Sequence, residues 1–209
     1  MMIDNPAIVP FKSIILKYSK MYDVPSEIIA STIYTESRGD VRAFNGQNSE
    51  NSRGLMQISQ RTALSYPLSI PYILLDRLYE ADYNIETGTK YLAYIRSYLK
   101  DHHLDKVKNM VDYWTVITSS YNQGHAYYGK ALDTLEMKNK SFTWRNIAYY
   151  VKNPVLWSKT PWISSVDKYG PDITGRIDLV DLAVKGGISM GVVGAIGAVG
   201  FLIYKSKTA

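Results

Sequence analysis

The chain has 209 residues, a formal net charge of +5 and no cysteine. That length holds one full core plus an appendage, and the missing cysteine excludes both a disulfide framework and a thiol nucleophile. The three histidines, His102, His103 and His125, lack companion ligands and read as structural or solvated rather than as a metal site. The charge is dispersed, which suits an anionic envelope or a lipid surface and does not call for nucleic acid.

The first expected element is an amphipathic helix over residues 11–22, with Ile14, Ile15, Tyr18 and Met21 inward. A second follows Pro25, a residue suited to a first helical turn. In it Ile29, Ile33 and Glu36 are spaced four and then three apart, so they share one stripe. The isoleucines face the core and carry Glu36 to its edge, where burial without a cation raises a carboxyl pKa. A carboxyl group that keeps its proton near neutral pH can donate it to a leaving oxygen. Taken alone, a glutamate near a helix end is ordinarily a solvated surface residue. Gly39 is expected to end this helix, since glycine readily takes the left-handed conformation.

Residues 43–53 are polar and rich in Asn, Gly and Ser, and read as a loop before Gly54-Leu55-Met56-Gln57-Ile58. Pro71 opens another helical stretch. A longer helix over 82–99 has Ile85, Tyr91, Leu92, Ile95 and Leu99 as its core stripe, with Gly88 allowing close approach of a neighbour. After a polar connector at 100–106, residues 107–120 are helical again and run into Tyr121-Asn122-Gln123-Gly124. A shorter helix is expected over 142–152. Beyond it, Pro154, Pro161 and Pro171 mark an irregular strap.

The far end differs in character. From Gly186 to Tyr204 the chain runs nineteen residues without a charge, flanked by Lys185, Lys205 and Lys207. A helix of that length just spans a hydrocarbon layer at ~1.5 Å per residue. Gly187 and Gly191 form a GxxxG pattern, a candidate packing face for another membrane helix. The glycine content also fits a membrane-active peptide that spans nothing. The expected organisation is a domain over residues 1–153, a linker over 154–185, a transmembrane helix over 186–204 and a basic tail over 205–209.

Four segments now stand in order: Glu36-Ser37; Gly54 to Ile58; Tyr83-Asn84-Ile85 with Gly88, Tyr91 and Leu92; and Ser120 to Gly124. Together they resemble the catalytic domain of the soluble lytic transglycosylases, over roughly residues 10–150. The resemblance implies a mainly α, lysozyme-like fold, with peptidoglycan glycan strands as substrate and no cofactor or metal. It gives Glu36 the acid and base role, with Ser37 beside it. Gly54, Met56 and Gln57 would form one side of the cleft, and Tyr121 and Asn122 the other. Tyr149 or Tyr150 would match a late family tyrosine near the site. Gln123 departs from the family, which usually has a small residue there, and is expected to narrow one subsite.

The implied chemistry breaks the bond between N-acetylmuramic acid and N-acetylglucosamine and closes a 1,6-anhydro ring, which needs only one carboxyl group. Ordinary glycoside hydrolysis needs two. A goose-type lysozyme would therefore have to recruit Asp40, Glu50 or Asp82. An inactive peptidoglycan-binding module and a membrane-perturbing protein with a wall-cutting head are the readings of another class. No secretory signal opens the sequence, so a C-terminal anchor would leave the enzyme on the cytoplasmic side. That topology leads to the expectation of a single-pass protein in the internal membrane of a bacteriophage particle, or else in the bacterial inner membrane.

Overall fold

In the computed structural model, which describes residues 1–47, 50–153 and 163–177, the organising element is helix α4 (Ala81–Lys100). Ile85, Leu92, Ile95 and Leu99 recur on one face of it and are fully buried, the pattern of a helix that supports a core. Four helices pack against it or against one another around it: α1 (Lys12–Tyr22), α2 (Ser26–Ser37), α5 (Met110–Gln123) and α6 (His125–Met137). Helix α7 (Trp144–Lys152) closes on α5 and α6. Asn109 starts α5 by accepting the Asp112 N–H, and Thr143 starts α7 by accepting that of Asn146, each satisfying a donor that the first turn would leave unpaired.

Between α2 and α4 lies the non-helical side of the fold. Strands β1 (Phe44–Asn45) and β2 (Ser52–Arg53) pair antiparallel within the segment expected to be a loop. Helix α3 (Gln60–Leu64) and a 3-10 turn at Tyr72–Tyr79 then lead to α4.

Several expectations require correction. Met21 is exposed, because the inward stripe of α1 steps from Tyr18 to Tyr22 instead. Tyr22 stacks on Tyr18 at 6.2 Å, and its hydroxyl reaches Glu86 Oε1 at 3.2 Å. The left-handed cap of α2 is Arg38, at φ 56°. Gly39 follows at φ 85°, where a β-carbon would come 2.3 Å from the Ala7 carbonyl oxygen, so glycine is needed for the turn back and not for the cap itself.

Helix α6 has no counterpart in the sequence reading. Residues 163–177, assigned there to the linker, form α8 (Ile163–Val166) and α9 (Tyr169–Thr174) and pack into the domain. Among the described residues no helix is long and apolar enough to cross a membrane. The expected transmembrane segment 186–204, with its Gly187/Gly191 face, lies outside the described residues.

Candidate active site

Glu36 sits in the last turn of α2, directly after Ile29 and Ile33, both fully buried. The four-three spacing thus brings the carboxyl to the rim of the core, where the residue is half-buried. Burial raises its pKa from the ordinary 4.5 to about 7; the Tyr169 hydroxyl opposes the rise and the charge of Glu50 adds to it. The partial negative charge at the carbonyl end of α2 acts in the same direction as burial.

The residue that touches this carboxyl is Tyr169, whose hydroxyl donates to Glu36 Oε1. Tyr169 belongs to α9, and a dense set of contacts seats that helix. Ser31 donates to the Ile173 carbonyl at 3.0 Å, Thr115 and Thr174 share a hydrogen bond of 2.8 Å, and Arg176 donates to Thr35 at 2.6 Å. A β-carbon on Gly170 would lie 2.0 Å from Ser119 Oγ and 2.6 Å from the Thr115 carbonyl oxygen. Only glycine lets α9 come this close to α5.

Tyr149 and Tyr150, the expected late tyrosines, are elsewhere. They line a cavity of about 580 Å³ on α7 together with Lys140, Arg145 and Lys152, and Tyr149 is exposed. The reason is register: α7 turns Ile147, Ala148 and Val151 inward, so the tyrosine pair faces outward or to the rim.

The segment 54–58 forms the opposite side of the site and is held by Asn84 of α4. Asn84 Oδ1 accepts the Met56 N–H at 2.8 Å, while Nδ2 donates to the carbonyls of Arg53 at 2.9 Å and Leu78 at 2.7 Å. Gly54 has φ 72°, and a β-carbon there would lie 2.1 Å from the Leu78 carbonyl oxygen. Met56, expected on one side of the cleft, turns its side chain into the core against Gly88 and is fully buried. Its backbone carbonyl instead accepts the Tyr121 hydroxyl at 2.8 Å, which ties the two sides of the site together. Gln57, at φ 44°, donates its amide to the Ala43 and Gly54 carbonyls at 3.0 and 2.9 Å.

Ser37 spends its hydroxyl on the helix end, donating to the Ile33 carbonyl and accepting the Gly39 N–H, both at 3.2 Å. Tyr121 is half-buried and, beside Glu36, has its pKa raised well above the ordinary value, chiefly by burial. Asn122 is exposed at the end of α5. Gln123 does not narrow a subsite. It turns inward, accepting the Tyr128 hydroxyl and donating to Ser165 at 2.6 Å, and so helps anchor α8.

Of the three carboxylates considered as a second acid, Asp82 is engaged by Tyr18 at 2.7 Å and Lys17 at 3.2 Å, and Asp40 accepts the Arg42 N–H at 2.8 Å. Glu50, exposed, is the one whose charge acts on Glu36.

The profile of the transglycosylase SLT domain matches residues 13–142. With well over half of the sequence matched, the chain belongs to that family, whose members are lysozyme-like, glycosidic-bond-cleaving enzymes of peptidoglycan. No curated protein matches the chain.

Proposed function

We propose that the protein is a lytic transglycosylase that cuts the β-1,4 bond between N-acetylmuramic acid and N-acetylglucosamine and leaves a 1,6-anhydro end. The observation that carries this reading is Glu36: a half-buried carboxyl group with its pKa near 7, one oxygen engaged by Tyr169. Tyr169 on Oε1 fixes the group and leaves Oε2 to give its proton to the glycosidic oxygen as the bond breaks. Glu36, then a carboxylate, takes the proton from the 6-hydroxyl of the same muramic acid. That oxygen closes on the anomeric carbon, so the proton count returns to its start and no water is consumed.

A hydrolytic second reading is favoured by one observation, the proximity of Glu50 in charge to Glu36. A water activated there would give reducing ends instead. Mass spectrometry of fragments released from purified peptidoglycan separates the two. Anhydro ends that vanish in Glu36→Gln support the transglycosylase; reducing ends that vanish in Glu50→Gln support the lysozyme.

The same proposal extends to place. Nineteen uncharged residues at 186–204 support an anchor in a lipid layer, and the membrane we assign to it is the internal membrane of a phage particle. Detection in purified particles and release by detergent are expected; absence from particles removes this part of the reading.

A further inference from the structure

From the catalytic site a row of rings runs outward along α4. Tyr121, which grips the Met56 carbonyl, lies 5.4 Å from Tyr91 between ring centres. Tyr94 follows at 6.3 Å, nearly parallel to Tyr91, and Tyr98 at 6.3 Å from Tyr94. Positions 91, 94 and 98 fall on one stripe of the helix and cover ~10 Å along its axis. Two further rings adjoin the row. Tyr66, in the segment after α3, meets Tyr94 edge-on at 5.5 Å. His125, at the start of α6, lies 5.3 Å from Tyr94 and 4.5 Å from Tyr98.

Rings that belong to the core are sealed, as Tyr18 and Tyr128 are, at 2% and 0% exposure. Tyr91, the link to the site, is likewise buried at 8% exposure, but the outer part of the row is open: Tyr66 is 77% exposed, and Tyr94, Tyr98 and His125 are half-buried. The rings themselves carry no formal charge; the nearest charge acting on them is Asp133, which bonds His102 behind Tyr98. Burial and the neighbouring His102 hold the His125 imidazole below its ordinary pKa, which favours the uncharged ring; its Nδ1 meets the Tyr91 hydroxyl at 3.4 Å.

We infer that Tyr66, Tyr94, Tyr98 and His125 form a distal ledge that binds uncharged N-acetylhexosamine rings of the glycan strand, beyond the bond that Glu36 cuts. The inference rests on the proposed function for its occupant, and on the continuity of the ring row with the site for its location. Flat apolar faces with polar tips match the alternating faces and hydroxyls of a sugar chain. The ledge gives the enzyme a grip on long strands that short fragments cannot exploit.

The test compares cleavage of long and short glycan fragments by the full-length protein. The ratio of kcat/KM for long over short fragments is expected to fall about ten-fold in Tyr66→Ala and in Tyr94→Ala, mostly through KM. Tyr149→Ala, on the separate α7 cavity, should leave that ratio as it is. An unchanged ratio in both ledge variants overturns the inference while leaving the proposed function intact. If the wild-type protein cleaves nothing, the proposed function falls, and binding decides the ledge separately. Tyrosine fluorescence of Glu36→Gln titrated with β-1,4-linked N-acetylglucosamine oligomers should then respond, and respond less in the Tyr94→Ala background; no response overturns the ledge as well.

Discussion

At the scale of single residues, Glu36 combines two roles that pull against each other. The burial that suits it to donate a proton also makes its ionised form costly to the fold. Its folded pKa of about 7 exceeds the ordinary 4.5, so the native state binds the proton more tightly than the unfolded chain. The stability tied to this proton is complete below the unfolded value and is lost as pH rises through the folded one, a loss of about 3 kcal/mol. Glu36→Gln, which stays neutral, should therefore match the wild type in urea unfolding near pH 4 and exceed it by a similar amount at pH 8. Tyr169 acts in the opposite sense, because its hydroxyl stabilises the carboxylate. Tyr169→Phe should move the alkaline limb of the pH–rate profile to higher pH and lower kcat by about ten-fold or more. A limb that stays in place would mean that the two groups do not communicate.

At the scale of elements, legibility followed periodicity. The stripe Ile29, Ile33, Glu36 and the stripe along α4 could be read because they recur at helical spacing, and both are where they were expected. Helix α6 carries an equally regular set, Tyr128, Ala131, Leu132 and Leu135, but Gly124 and Gly129 punctuate it and obscure the helical pattern in the sequence. Gly129 is in fact a packing contact, with Tyr98 and His102 against it. Helix α9 was hidden for a different reason. Its Gly-Pro sequence has poor helix propensity, and what stabilises it is docking against α2 and α5, which no local pattern reveals.

The motif 54–58 shows the same division. Its identity was legible, but its backbone, not its Met56 side chain, faces the site, because Asn84 pulls the Met56 N–H inward. Asn84→Asp keeps size and acceptor but replaces the two donated hydrogen bonds by repulsion against carbonyls. It should destabilise the protein by about 2–4 kcal/mol in denaturant unfolding; a change under ~1 kcal/mol would show that the motif holds its shape unaided.

At the scale of the molecule, the working domain is longer than the stretch that carries the family's signature. The match ends at residue 142, yet Ile173 is fully buried and Tyr169 reaches Glu36. A chain stopped after Asn153 retains Glu36, Met56 and Tyr121 but loses α8 and α9. It should release no glycan fragments and melt at a lower temperature than the full chain; retained activity would show Tyr169 to be dispensable.

Glu36 and Tyr169 are 133 positions apart, and that separation sets a timetable. A ribosome adding about 5–20 residues per second delivers the tyrosine on the order of ten seconds after the acid. Throughout that interval the nascent chain carries its acid without the partner that fixes it. Folding therefore completes the surroundings of Glu36 only after most of the domain has been made, and a chain released before residue 169 lacks the hydroxyl that holds this carboxyl group.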